Sequence, residues 1–545
     1  MATIKPTYDT NQIINQLLTS WGGDYTGYIY NWTLPSVSYS VNTGVPNPIS
    51  IPITQGIEQA KYVAMTDLQV STAKLAFQLW GDVIGKTLNY VENSKTANIT
   101  LNYSGSTQNG GTYAGPNVAD VRWPANKRLT LTTDRIWFAS QDASNGDAYM
   151  AMGLYGESSM VHEVGHALGL SHPGPYNGSA VYAVDAVFAQ DNRQNSVMSY
   201  FGYATKGLGW TTDGTVLSGL YPETPMVYDI AAIQRLYGAN QSTRSGNTVY
   251  GFNCNLVNAD PERKIYDFAQ NTNPIFTIWD GGGVNTLDCS LYTDNQVINL
   301  TAGRYSSVGG FIDNIGIAFN VTIQNAVGGS GSDTLACGTS SKTYSLTGLS
   351  GDDVIQGVAG NSNIATAVYR GDHLAYTVSN VNSLQPATVR DTVSNRDGTD
   401  TLTNVARLQF SDGIQAIDVG AGQDAGEVYR LYRASFGRAP ELGAVKYYLN
   451  DLEVNNLSLK NVAANFIASP EFASKYGADV TDTQFINALY QNVLSRAPVA
   501  SELSWYLNQF NTKAMDHQAA LIGFSESPEN IALVGSAIAN GIWLG

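Results

Sequence analysis

The sequence predicts an α+β domain, then a parallel β-roll or β-sandwich domain, then an all-α domain, and three observations carry that order. Over the first 240 residues, helix-spaced apolar stretches at 67–84 and 228–240 enclose short runs of β-branched and aromatic residues. From 245 to about 417 the helical period disappears, and short strands alternate with Gly, Asn and Asp. Beyond 419 the period returns, and Leu431-Tyr-Arg-Ala-Ser-Phe-Gly-Arg-Ala-Pro440 recurs as Leu489-Tyr-Gln-Asn-Val-Leu-Ser-Arg-Ala-Pro498, fifty-eight positions on. A period that long marks a duplicated helical unit. At 545 residues the chain exceeds one core, since single cores stop growing near ~250 residues. The expected boundaries are 1–240, 241–418 and 419–545.

Composition narrows the function classes. A net charge of -16 and a pI near 4.7 disfavour nucleic acid and anionic membranes as partners. No stretch reaches the eighteen or so apolar residues of a membrane span, and the start, MATIKPTYDTNQIINQLL, has no basic region followed by an apolar run. The expectation is a chain without a cleaved N-terminal signal peptide. Cys254, Cys289 and Cys337 are too few for a disulfide framework; a Cys254 to Cys289 bridge stays open.

Taken in order, residues 1 to about 55, with Trp21, Gly22 and Gly23, read as an irregular lead-in to a strand near Ser36–Val41. Leu68, Ala73, Leu75, Ala76, Leu79 and Trp80 then mark an amphipathic helix from Asp67 to about Ile84. Strands are expected near Leu88–Val91, Asn98–Tyr103 and Leu129–Phe138.

Ser158 to His172, SSMVHEVGHALGLSH, is the stretch that carries chemistry. On a helix His162 and His166 lie one turn apart on the same face, so their imidazoles can converge on one ion with Glu163 beside them. Gly169 can take the left-handed backbone that ends the helix, and the reversed chain returns His172 as a third nitrogen ligand. Three imidazoles suit Zn2+ and leave a position for water, whose proton Glu163 would take as it attacks a carbonyl. A bare HExxH recurs by chance, but three of the chain's five histidines fall within these eleven positions of H-E-x-x-H-x-x-G-x-x-H.

Downstream, Ser196-Val197-Met198-Ser199-Tyr200-Phe201 resembles the methionine turn under the zinc of metzincin proteases, in the form seen in serralysins. Tyr155-Gly156, His172-Pro173-Gly174, Asp185-Ala186-Val187 and the run Tyr228 to Asn240 resemble the same family. The resemblance implies a metzincin domain over 1–240, with Met198 as an apolar floor. It makes Tyr200 either a further zinc ligand or a stabiliser of the oxyanion. It also implies an edge strand, near Asn98–Gly115, that pairs with an extended peptide substrate.

Gly328 to Ala336, GGSGSDTLA, fits the nonapeptide G-G-x-G-x-D-x-U-x whose turns bind Ca2+ in a parallel β-roll. Gly348 to Gln356 fits with one glycine lost, and Gly357 to Ala365 has Ser362 in the aspartate position. Gly329, Gly331, Asp333, Gly351 and Asp353 are therefore candidate ligands for a few structural ions. The resemblance adds two sites between the protease domain and the roll, with ligands from Arg244, Gly246, Thr248, Asp280, Gly282, Gly283 and Thr322. There Asn285 stands where an aspartate is usual and Gln324 where a glutamate is usual, which weakens the second site by charge. Residues 366–418 resemble the strand-rich segment that caps such rolls.

Together these readings imply a secreted zinc endopeptidase acting on protein or peptide substrates. The roll motifs imply export through a type I exporter, and contact with a cell-surface component and a monomeric state are expected. One rival is a non-catalytic calcium-binding surface-layer or adhesin-type protein with a vestigial metal site, against which the intact Glu163 argues; the other is a zinc hydrolase of an ester or amide in a small molecule, against which the expected edge strand argues. The duplicated helical part shows no catalytic constellation, and Arg438 and Arg496 are expected to pin helices.

Overall fold

The computed structural model describes residues 5–22, 26–41, 62–94, 96–104, 113–118, 127–139, 146–202, 220–341, 343–359, 364–381 and 386–545. It comprises two compact units, one of 1–329 with 338–340, the other of 330–337 with 341–545. No helix among the described residues is long and apolar enough to cross a membrane. No disulfide joins Cys254, Cys289 or Cys337, so the bridge left open between Cys254 and Cys289 does not form.

In the first unit, β1 (Ile29–Asn31), β2 (Ser36–Val41), β4 (Thr87–Tyr90), β5 (Ile99–Ser104) and β7 (Arg128–Ala139) form a parallel sheet in the order β1-β7-β5-β2-β4. β3 (Tyr62–Val63) runs antiparallel to β5, and β6 (Tyr113–Val118) antiparallel to β7. The expected edge near Asn98–Gly115 is thus corrected. β5 is interior, while Tyr113 to Gly115 of the expected range open β6, which among the described residues pairs with β7 alone; residues 105–112 lie outside the described residues. α2 (Asp67–Val83) is started by a capping box between Thr66 and Gln69 and buries Ala73, Leu75, Ala76, Phe77, Leu79 and Trp80.

The lead-in is also corrected. α1 (Thr10–Thr19) is a helix capped reciprocally by Asp9 and Gln12, with Ile13, Ile14, Leu17 and Leu18 buried. α3 (Tyr155–Ala167) holds the histidine motif, and α4 (Val227–Tyr237) buries Val227, Ile230, Ala232 and Ile233. Farther along, β8 (Val249–Gly251), β9 (Thr286–Asp288) and β10 (Asn325–Val327) run parallel, with Thr286 paired to both Val249 and Asn325.

The second unit begins with a roll of two parallel ladders. One joins β11 (Thr334–Ala336), β13 (Val354–Gln356) and β15 (Thr399–Thr403); the other joins β12 (Thr343–Thr347), β14 (Ile364–Val368) and β16 (Arg407–Phe410). Leu335, Ile355 and Leu402 are buried from the first ladder, and Leu346, Ala367 and Leu408 from the second. Aspartates stack just before the first ladder: the Asp333 N–H donates to Asp353 Oδ1 at 2.7 Å, and the Asp353 N–H to Asp400 Oδ1 at 2.9 Å. Ser362 lies outside the described residues. β17 (Gly413–Ala416) pairs antiparallel with β16, and β18 (Ile542–Trp543) with β17.

Eight helices lie between those last two strands: α5 (Asp424–Phe436), α6 (Leu442–Glu453), α7 (Leu459–Ile467), α8 (Pro470–Tyr476), α9 (Asp482–Leu494), α10 (Ala500–Asn511), α11 (His517–Ser525) and α12 (Pro528–Gly535). The duplication is visible in the caps: Ser469 and Ser527 each accept from the backbone three residues on, with proline in the first helical position. Arg438 pairs with Glu471 and Glu441, and Arg496 with Glu502.

Candidate metal centre

α3 and the bend after it bring three imidazoles together. His166 Nε2 lies 3.0 Å from His172 Nε2, which lies 3.3 Å from His162 Nε2. Among the described residues, these three side chains form the one group of three or more His, Cys, Asp or Glu side chains whose ligand atoms lie close enough to share a metal ion. Each Nδ1 faces a backbone carbonyl: His162 to Val197 O at 2.8 Å, His166 to Leu170 O at 2.7 Å and His172 to Tyr176 O at 2.7 Å. A carbonyl can only accept, so each Nδ1 carries the proton and each Nε2 presents a lone pair. Three lone pairs aimed at one another repel unless a cation lies among them, and second-sphere carbonyls on Nδ1 are what metal-bound histidines use. The residues therefore fit a metal with nitrogen preference such as Zn2+. Burial pushes His162 down to about 3, His166 to about 4 and His172 well below its ordinary value, so all three are neutral near pH 7.

Backbone anchors hold the helix. The Trp80 indole donates to Val161 O and the Trp32 indole to Ala167 O, both at 2.8 Å, while Tyr237 OH donates to Leu168 O at 2.6 Å. Gly169 has φ +108°, and a Cβ there would lie 2.3 Å from the Tyr30 carbonyl oxygen, so the turn needs glycine twice over. The next bend is held by α1: the Ser171 N–H donates to Leu17 O at 2.7 Å, one residue before His172.

Met198 is fully buried under the site, and a Cβ on Gly165 would fall 2.6 Å from its sulfur, so the helix rests directly on the turn. Asp229, on α4, fixes that turn. It accepts from Ser196 Oγ at 2.6 Å, Val197 N at 2.6 Å and Met226 N at 2.8 Å. Val197 O in turn receives His162 Nδ1. Asp191 acts on the other side, accepting from Tyr176 OH at 2.9 Å and Ser199 Oγ at 2.7 Å, while Tyr176 O receives His172. Sequence reading singled out neither carboxylate; the only local signal is an acid three residues into a helix that starts without a side-chain cap.

Glu163 is nearly buried next to His162. The Tyr200 ring meets His172 edge-on with centroids 4.5 Å apart, and its hydroxyl lies 3.4 Å from Asn177 Oδ1 and from the Gly178 N–H. Burial, with the Glu163 charge adding to it, holds the phenol above its ordinary pKa.

The calcium candidates fall into two groups by geometry. Thr248 Oγ1 lies 3.4 Å from Arg244 O and 3.3 Å from Gly246 O, while Asp280 accepts from Tyr250 OH at 2.7 Å and from the Gly282 N–H at 2.9 Å. In the roll, Asp353 Oδ2 is buried without a partner, and burial pushes that carboxyl up to about 7. An orphaned carboxylate oxygen of this kind fits a hard cation. Gly282, Gly283, Thr322, Asn285 and Gln324 instead bond among themselves.

Comparison with known families agrees with this layout. The family described as "Matrixin" matches residues 51–194, and "Met-zincin" matches 151–290. "Peptidase M10 serralysin C terminal" matches 239–473, and a "Domain of unknown function (DUF4214)" matches 463–534. "Metalloprotease AprA" of Pseudomonas entomophila is 38% identical over 336 residues, 61% of this chain and 64% of that protein. "Serralysin B" of Dickeya chrysanthemi is 37% identical over 345 residues, again 61% and 64%, and "Serralysin C" of the same organism is 39% identical over 278 residues, 50% and 54%. The chain thus spans just under two thirds of the length of the first two relatives. By these matches the chain is similar to serralysin-type metzincins in both its histidine-bearing part and its strand-rich part.

Proposed function

We propose that this chain is a secreted zinc endopeptidase, with residues 1–240 as its catalytic domain, 241–418 as a calcium-binding roll with its cap, and 419–545 as a helical appendage. The observation that carries the reading is the convergence of three neutral Nε2 atoms beside Glu163. Zn2+ held by His162, His166 and His172 would supply Lewis acidity toward the scissile carbonyl and toward water. Glu163 takes the proton from the attacking water and passes it to the leaving amine. Tyr200, released from Asn177, donates to the developing oxyanion. β6 offers backbone groups to an extended peptide, which gives affinity independent of side chains. The names of the relatives support a proteolytic role, and a type I exporter, a cell-surface contact and a monomeric state belong to the same reading. Incubating the chain with casein, with and without a zinc chelator, tests it. Cleavage that stops on chelation and returns with Zn2+ is expected; intact casein in the presence of Zn2+ would overturn it.

Structural Ca2+ is proposed at Arg244, Gly246, Thr248 and Asp280 and at the roll turns Gly329, Gly331, Asp333, Gly351 and Asp353. Ligand held at about a hundredfold its Kd adds ~2.7 kcal/mol of stability. Removing Ca2+ with EGTA should therefore lower the melting temperature by roughly 5–10 °C. A melting curve that ignores EGTA would remove calcium from the roll.

A further inference from the structure

The second of the two sites implied between the protease domain and the roll does not fit a cation. Its carbonyls already receive N–H donors. Asn285, almost fully buried, accepts at Oδ1 from the Thr248 N–H at 2.9 Å and donates from Nδ2 to Gly282 O at 3.0 Å and Thr322 O at 3.2 Å. Gln324 accepts at Oε1 from the Asn285 N–H at 2.7 Å and donates from Nε2 to Gly283 O at 3.0 Å. The amide orientations are fixed by these partners: turning either over would set NH2 against N–H and oxygen against carbonyl. A divalent ion would have to displace both NH2 groups and would gain no carboxylate beyond Asp280, which already accepts from Tyr250 and the Gly282 N–H and belongs to the first site, while Ca2+ affinity follows ligand charge.

We infer that Asn285 and Gln324 form a two-amide clasp that replaces a divalent cation and joins the turns at 282–285 and 322–325 without metal. The clasp sits at the mouth of the β9/β10 pair. The N–H groups of Gln324 and Asn325 both donate to Asn285 O, at 3.1 and 3.0 Å, and the next residue, Thr286, opens the parallel register with Asn325. It therefore sets the register of this strand pair where an ion would otherwise have done so, and the pair can form at low calcium while the roll still waits for the ion. The inference rests on the calcium reading of the neighbouring sites, not on proteolysis.

The test is to rebuild the ion site in the full chain. Asn285→Asp with Gln324→Glu should bind one more Ca2+ per chain than the wild type by equilibrium dialysis. EGTA should also lower its melting temperature further than it lowers that of the wild type. In the wild type, hydrogen exchange at the Asn285 amide should stay within about twofold between Ca2+ and EGTA, because its acceptor, Gln324 Oε1, is a side chain that no ion holds. Exchange at this amide that rises tenfold or more in EGTA would overturn the clasp, as would a double variant that folds but binds no additional ion. Should the double variant fail to fold, the wild-type exchange alone decides.

Discussion

Substituting Glu163 by glutamine is expected to lower kcat/KM for peptide cleavage by about one hundred- to ten-thousand-fold, the range that a positioned general base contributes. Zinc content and melting temperature should stay near wild type. The reason lies in the division of roles on α3: the imidazoles hold the ion through Nε2, while Glu163 lies one residue past His162 and contributes no ligand atom to the group that could hold a metal. Glutamine keeps the size of the side chain and loses only its capacity to take a proton. His166→Ala should behave differently, losing zinc and activity together. A Glu163→Gln enzyme that retains zinc and cleaves within tenfold of wild type would remove the proposed base.

Asp229→Ala should be among the most destabilising single changes in the first unit. It leaves Ser196 Oγ, Val197 N and Met226 N without their acceptor in a fully buried place. Each buried unpaired group costs ~1–3 kcal/mol, so a loss of about 3–5 kcal/mol is expected, a large part of an ordinary domain's stability. The turn it releases carries Val197 O, which orients His162, so zinc affinity should fall by roughly ten- to a hundredfold. Denaturant midpoints and competition with a zinc-binding dye measure the two effects. Asp229→Asn keeps the shape but sets an NH2 among N–H donors, and should show the affinity loss with a smaller stability loss. Unaltered zinc affinity in both variants would make Asp229 a packing residue only.

What could be read from the sequence follows the range of the interactions. The histidine site was legible because its ligands, its base and its terminating glycine lie within eleven positions, and helical geometry converts spacing into direction. Asp229 and Asp191 were not, since the groups they orient lie on other elements and no spacing links them. α1 was missed for a local reason. Its capping pair Asp9 and Gln12 was in plain view, but the surrounding Gly, Pro and aromatic residues suggested irregular chain. The expected edge near Asn98–Gly115 took in the interior strand β5 as well as the start of β6, since a run of β-branched residues does not say which neighbour it will pair with. At Asn285 and Gln324 the loss of charge was legible, but not that each amide would turn its NH2 toward the carbonyls.

The tie between Ser171 and Leu17 bears on how the chain can be trimmed. A peptidase that nibbled up to Asp9 would leave α1 and its strut intact. One that cut beyond Thr19 would strip the prop from the bend that delivers His172, and the remainder would keep two imidazoles on a sound helix while the third drifted. Residues 10–20 are thus masonry of the centre itself, and any N-terminal cut that spares the centre has to stop short of them.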